Sequence, residues 1–214
     1  MQQWLEFVTV LILLSNLAML GFGELGACVR LVAAQGILLG LFTLMVRADA
    51  LTVRLLLLAI VSMTLKGYVF PYLLFRGMRA ADIQREVEPS VGYVSSIISG
   101  LLMLAASMWI AARIPLPLAA QSYFPVSVAL STIFTGLFLV ISRRKALSQV
   151  IGYLVFESGI YMFGVTAVGE IPFLVEFGVL LDAFVAVFVM GIAVNHIKRE
   201  FDHIDADQLS SLKG

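Results

Sequence analysis

The chain has 214 residues, of which 61% are hydrophobic and 13% are charged, and its formal net charge is zero. Soluble domains carry about 25% charged residues, so this composition excludes an ordinary soluble fold. The sequence has no long basic run, which argues against a nucleic-acid partner, and its single cysteine excludes an internal disulfide or a cysteine metal cluster. The chain is therefore expected to have lipid as its solvent.

Seven apolar segments follow one another, each long enough to cross a bilayer as a helix, which takes about 20 residues. They cover roughly 4–22, 28–46, 53–76, 91–112, 123–141, 146–168 and 172–196. Because they are continuously apolar rather than alternating, they predict helices and not barrel strands. No Lys or Arg precedes the first segment, which is therefore predicted to be a retained span rather than a signal peptide. We predict an all-α polytopic membrane protein with about seven transmembrane helices.

Lys and Arg are divided unevenly between the two sides of such a bundle. One set of loops carries ten of them, namely Arg30, Arg76, Arg79, Arg85, Arg143, Arg144, Lys145, Lys198, Arg199 and Lys213. The other set carries Arg47, Arg54 and Arg113. Basic loops stay in the cytoplasm, so we predict an N-terminus outside and a C-terminus in the cytoplasm.

Polar side chains are few in the first two segments. Ser15 and Asn16 lie near the centre of the first, and Gln35 lies between small residues in the second. Such groups usually bond a neighbouring helix or their own backbone, while glycines such as Gly36 and Gly40 allow helices to approach closely. We expect interhelical contacts here rather than a substrate site.

The third segment carries Lys66 about halfway along, followed by Gly67 and Pro71. Proline removes a backbone donor and usually kinks a helix. A buried ammonium group needs a partner or loses its proton. Lys66 could therefore pair structurally with an acid of a neighbouring subunit, or titrate within a proton path, or lie nearer the membrane edge than the count of residues implies.

The middle of the chain contains fewer candidate functional residues. The polar run 76–90 predicts a cytoplasmic loop, and the interiors of the fourth and fifth segments hold no acid or base. We interpret these two segments as scaffold, with Gly100 and Gly136 as packing sites.

The last two segments each carry an acid near the middle, Glu157 and Asp182. An ionisable group at mid-membrane costs about 2.5–3.5 kcal/mol on insertion scales, which makes it a functional candidate. Tyr153 and Tyr161 lie four residues to either side of Glu157 and share its helical face. The glycines of the sixth segment are expected to leave it loosely packed. The alternative is that both acids stay neutral and make structural hydrogen bonds.

Two further candidates flank this acidic hairpin. Glu176 lies nearer the outer end of the seventh segment, on a different face from Asp182. His196 ends that segment, where a cation complements the helix C-terminus or admits protons. Residues 197–214 form a polar tail that we expect to dock on a partner. The sequence contains no metal-ligand motif, nucleophile elbow or phosphate-binding loop, so no metal site or catalytic residue is predicted.

Four stretches, KGYVFP, IGYLVFESG, VEFGVLLDAFVAV and DADQLSSLKG, resemble the hydrogenase-4 component E family. These are membrane subunits of group 4 nickel-iron hydrogenases and formate hydrogenlyases. The last three segments also resemble the K subunit of respiratory complex I and the C subunit of Mrp antiporters. The resemblance implies a four-helix part over 1–122, a K-subunit-like three-helix part over 123–196, and a cytoplasmic tail over 197–214.

The same resemblance implies a non-catalytic subunit of a complex I-like oxidoreductase in the bacterial or archaeal cytoplasmic membrane. Its partners would be antiporter-like subunits and a hydrogenase module that holds the nickel-iron and iron-sulfur centres, with no cofactor in this chain. Glu157 and Asp182 would correspond to acids that carry protons, although Glu157 falls about one turn, and Asp182 about two residues, from the K-subunit positions. Lys66 would join them as a relay candidate. An Mrp-type antiporter subunit, a free-standing small transporter and a purely structural spacer remain alternatives.

Overall fold

The computed structural model describes residues 2–46, 53–80, 92–114, 123–143 and 146–167, and the elements in these ranges are helices. In chain order they are α1 (Gln2–Gly21), α2 (Leu25–Val46), α3 (Val53–Thr64), a π-helix (Leu65–Val69), α4 (Phe70–Ala80), α5 (Tyr93–Ala111), α6 (Tyr123–Ser142) and α7 (Ala146–Ala167). The predicted helical class is confirmed for these ranges.

Five of these helices, namely α1, α2, α5, α6 and α7, are long and apolar enough to cross a membrane. The third predicted segment is also helical, but it consists of three consecutive pieces, α3, the π-helix and α4. The seventh predicted segment and the tail lie outside the described residues. The count of seven spans and the orientation of the termini therefore stay predictions.

The π-helix lies next to the proline that the sequence marked as a kink. The backbone N–H of Phe70 donates to the carbonyl of Leu65, five residues back rather than four. Pro71 follows, and it has no N–H to give to the preceding turn. The widened turn contains Lys66 and Gly67. Single π turns inside α-helices occur frequently at functional sites.

Helices α6 and α7 pack backbone to backbone through glycines. A Cβ on Gly159 would lie 2.6 Å from the backbone nitrogen of Ile133, and one on Gly152 would lie 2.7 Å from that of Val140. The expectation of a loosely packed sixth segment is therefore wrong at these two glycines, because their missing side chains permit close approach. The packing roles predicted for two other glycines are confirmed: Gly136 meets the backbone of Phe156, and Gly100 meets Leu20.

The buried apolar side chains form two clusters, one towards each end of the helices. The first cluster includes Met19, Leu25, Val32, Phe70, Leu139, Leu147 and Leu154. The second cluster includes Val8, Ile12, Leu39, Phe42, Val128, Tyr161 and Met162. On each of α1, α2, α6 and α7, several residues separate the two clusters. These intervening stretches carry buried polar residues, among them Asn16, Gln35, Thr132 and Glu157.

Candidate functional site

Five buried polar side chains, each from a different helix, lie between the two apolar clusters. We call this set the polar layer: Asn16 of α1, Gln35 of α2, Lys66 of the π-helix, Thr132 of α6 and Glu157 of α7. As whole residues, they are between 1% and 4% exposed. Glu157 lies eleven residues after α7 begins and ten before it ends, so the layer crosses the middle of that helix.

Lys66 and Glu157 form an ion pair inside this layer. The Nζ atom of Lys66 donates to Oε1 of Glu157 at 3.0 Å, and the two side chains are 5% and 3% exposed. Nζ also lies 5.8 Å from the centroid of the Tyr161 ring, one turn beyond Glu157. A buried ammonium requires such a partner, because removing it from water is costly. The acid belongs to the same chain, whereas one alternative from the sequence expected an acid of a neighbouring subunit.

A chain of hydrogen bonds links three other members of the layer. Nε2 of Gln35 donates to Oδ1 of Asn16 at 2.9 Å, and Nδ2 of Asn16 donates to Oγ1 of Thr132 at 2.7 Å. The Thr132 hydroxyl donates in turn to the carbonyl of Val128 at 2.7 Å. Because that hydroxyl proton is committed to Val128, the orientations of both amides follow from the network.

The small polar side chains of α1 and α2 make both of the predicted kinds of contact, to a neighbouring helix and to their own backbone. Asn16 and Gln35 bridge helices, as expected. Ser15 makes the other predicted kind of contact: its hydroxyl donates to the backbone carbonyl of Ile12 in its own helix at 2.6 Å. Thr132 was missed, because a threonine in an apolar segment most often bonds its own backbone and gives no distinctive signal.

Close helix contacts join the hydrogen-bonded chain to the ion pair. A Cβ on Gly36, the neighbour of Gln35, would lie 2.6 Å from the Cβ of Lys66. A Cβ on Gly159 would lie 3.0 Å from the backbone carbonyl carbon of Thr132. The absence of side chains at these glycines therefore lets α2 approach Lys66 and lets α6 approach the turn that carries Glu157.

Two oxygens of the polar layer have no hydrogen-bond donor within the described ranges, Oε1 of Gln35 and Oε2 of Glu157. Leaving a buried acceptor unsatisfied costs about 1–3 kcal/mol. Gln35 and Glu157 are 1% and 2% exposed as whole residues, so bulk solvent does not reach these oxygens. The layer therefore retains acceptor capacity for a proton, an ammonium group or an internal water molecule.

The remaining candidates divide into those near the layer and those outside the described residues. Tyr161 is buried beside Lys66, while Tyr153 is half-buried, with its ring 6.4 Å from that of Phe156. Asp182, Glu176 and His196 lie outside the described residues, so their positions stay predictions. Within the described part of the chain, His, Cys, Asp and Glu form no group of three or more that could hold a metal ion.

Comparison with known proteins gives two kinds of relative. Hydrogenase-4 component E of Escherichia coli is 30% identical over 119 residues, which are 56% of this chain and 55% of that protein. The protein of the same name from Shigella flexneri matches to the same extent. No family model matches the chain, and no solved structure matches it significantly.

The second kind of relative covers most of the sequence. A Mycobacterium tuberculosis protein, described as "Uncharacterized protein Rv0085", is 31% identical over 195 residues. The match spans 89% of this chain and 87% of the mycobacterial protein. The chain belongs to the same protein family as Rv0085.

Proposed function

We propose that the chain is an integral membrane subunit of a hydrogenase complex and contributes to proton (or sodium) translocation driven by redox chemistry in partner subunits. The observation that carries the proposal is the ion pair of Lys66 and Glu157, buried midway along the helices. The similarity to hydrogenase-4 component E over 119 residues supports the type of complex. The five long apolar helices support its place in a membrane.

The ion pair suits a proton relay for an electrostatic reason. Ionisable residues inside membrane spans are expensive and commonly mark ion paths. In the ionised state, Lys66 and Glu157 cancel each other's charge. A proton bound at Oε2 of Glu157, the oxygen that no described donor occupies, leaves the Lys66 ammonium without its counter-charge. Proton occupancy at Glu157 is thus coupled to the state of Lys66.

The remaining candidate residues would carry protons to and from the ion pair. Asp182 would be the next acid in line, with Glu176 towards the outside and His196 towards the cytoplasm. Tyr161, and more distantly Tyr153, would support the carboxyl group of Glu157. These assignments derive from the sequence pattern and from the resemblance of the last three segments to the complex I K subunit.

The proposed subunit would have no active site of its own. It would lie in the bacterial or archaeal cytoplasmic membrane between antiporter-like subunits and a module that holds the nickel-iron and iron-sulfur centres. The N-terminus would be outside and the C-terminus in the cytoplasm, in agreement with the division of basic residues.

A structural spacer is the second candidate, and one observation favours it. The hydrogen-bonded chain from Gln35 to Thr132 and the glycine contacts between α6 and α7 are features of tight helix packing. In that case the ion pair would fix the register of the third helix against α7 without changing its charge state.

Ion translocation by the assembled complex in sealed vesicles separates the two candidates. Glu157→Gln should keep redox turnover and lose the ion gradient, because the amide does not exchange a proton. Glu24→Gln is the matched control, since Glu24 is exposed in the connection between α1 and α2. A Glu157→Gln complex that assembles and translocates normally would reject the relay and favour the spacer.

A further inference from the structure

The amide of Gln35 is held by its nitrogen end. Nε2 donates to Asn16, and the direction of that bond is set by Thr132 at the far end of the chain. Turning the amide over would bring Oε1 against Oδ1 of Asn16, which are two acceptors. Oε1 therefore stays an acceptor, fully buried and without a donor among the described residues. An unsatisfied buried carbonyl of this kind costs free energy, so a donor that reached it would stabilise the protein.

Lys66 adjoins the same turn of α2. Next to Gln35, the glycine at position 36 brings the backbone of α2 against Lys66, with 2.6 Å between a Cβ placed there and the Cβ of the lysine. The ammonium group is a compact charge on a flexible four-carbon stem. Rotation of the side chain can therefore move the ammonium group while the helices keep their contacts.

We propose that Oε1 of Gln35 is a second acceptor for the Lys66 ammonium group, occupied when Glu157 binds a proton. The inference rests on the proposed function, because it requires Glu157 to change its protonation state. With Glu157 ionised, the charges of the pair cancel and the ammonium stays on Oε1 of Glu157, at the observed 3.0 Å. When a proton forms an O–H bond at Oε2, the pair carries one net positive charge.

Gln35 is suited to receive the ammonium in that second state. A hydrogen bond from a charged donor is about twice as strong as a neutral one. The bonds from Gln35 to Asn16, from Asn16 to Thr132 and from Thr132 to Val128 all run in the same direction. Aligned bonds polarise one another, which makes the free carbonyl at the start of the chain a better acceptor. Asn16 and Thr132 thus act as positioning residues for Gln35.

The exchange gives Lys66 two positions with different consequences for the proton. On Glu157, the ammonium balances the charge of the carboxylate. On Gln35, it lies away from the carboxyl group when that group carries the proton. Alternation between the two acceptors would link the N-terminal helices α1 and α2 to the charge state of α7.

Infrared spectroscopy of the assembled complex in lipid nanodiscs tests the exchange. The carbonyl stretch of a protonated carboxyl group, assigned to Glu157 by its loss in Glu157→Gln, reports when this residue binds a proton. Glutamine labelled with carbon-13 at the side-chain carbonyl gives a second band, assigned to Gln35 by its loss in Gln35→Met. We expect the Gln35 band to move to lower wavenumber as the Glu157 band appears, because a hydrogen bond weakens the carbonyl bond.

Two variants provide the comparison. Lys66→Met should abolish the movement of the Gln35 band, since it removes the donor. Thr43→Val is the matched control and should retain the movement: Thr43 is 1% exposed on the same helix and donates to Leu39 of that helix. A Gln35 band that stays in place while Glu157 binds a proton would overturn the inference and leave the proposed function standing.

Further results would also decide whether the Lys66 ammonium group changes acceptor. If no Glu157 carboxyl band appears at any pH, the relay fails and the second acceptor fails with it. If Gln35→Met does not assemble, electron cryomicroscopy of the wild-type complex at two pH values replaces the band assignment. Nζ of Lys66 within hydrogen-bond distance of Oε1 of Gln35 at the acidic pH supports the exchange. Nζ on Glu157 at both values, with the carboxyl protonated at one, refutes it.

Discussion

Gly136 of α6 lies directly against the backbone of Phe156, the residue that precedes Glu157. The depth of the buried carboxyl group is therefore set by contact between two helix backbones and not by side chains that can repack. Gly159 repeats the arrangement one turn further, against Ile133. Small residues at an interface of this kind let membrane helices pack closely.

Gly159→Ala should destabilise this interface, because its Cβ would lie 2.6 Å from the backbone nitrogen of Ile133. We expect a loss of about 1–3 kcal/mol, as for other overpacked sites, with a lower midpoint of thermal unfolding in detergent. Gly77→Ala is the control, since its Cβ would meet Leu147 at an ordinary 3.6 Å. Equal midpoints for the two variants would contradict the backbone contact.

Lys66→Met should reduce the stability of the protein more than the double variant Lys66→Met/Glu157→Leu. The single change leaves a buried carboxylate without its cation, which typically costs about 3–5 kcal/mol, whereas an apolar pair of similar volume is often neutral. The yield of folded protein and its midpoint of unfolding would measure the difference. A double variant less stable than the single one would show that the carboxyl group is stabilised by something other than Lys66.

Asn16→Leu should lower the stability by about 1–2 kcal/mol, because it leaves both Gln35 and Thr132 without the bonds that join them across helices. Ser15→Ala, at the neighbouring position, removes a hydroxyl that bonds to its own helix and should change stability much less. Comparison of the two unfolding midpoints tests the assignment. A larger loss of stability in Ser15→Ala than in Asn16→Leu would show that the hydrogen-bonded chain contributes little to the packing of α1 against α2 and α6.

The predicted orientation can be tested by chemical labelling. In a Cys28→Ser background, a cysteine at Gln2 should react with a membrane-impermeant maleimide added outside intact cells. A cysteine at Glu24 should react only after the cells are opened. Both positions are exposed in the protein, so accessibility would report the side of the membrane. Labelling of Glu24→Cys from outside would reverse the orientation.

The sequence identified Lys66 and Glu157 individually, because a charge in the middle of an apolar segment is conspicuous. It could not pair them: they are 91 residues apart, and the contact depends on how the third helix packs against α7. The π turn could not be predicted from the sequence either, although Pro71 indicated an irregular helix close by. A proline signals a missing donor, but the way in which the preceding turn adjusts is decided by packing.

The error over the glycines of α7 has a simple origin. Glycine lowers the intrinsic stability of a helix, which favoured an interpretation in terms of looseness. Between membrane helices the same lack of a side chain allows close contact, and Gly152 and Gly159 are used in this way. Composition alone does not distinguish the two effects, because the difference lies in the neighbour.

The position of the ion pair between the two apolar clusters has an electrical consequence. In an energised membrane, the clusters act as insulating layers on either side, so Lys66 and Glu157 lie part-way down the voltage drop. Moving one charge through the whole drop is worth about 2.3 kcal/mol per 100 mV. A proton that reaches Glu157 near the midpoint would cross about half of that drop. Occupancy of the carboxyl group would then respond to membrane voltage as well as to the proton concentration on either side.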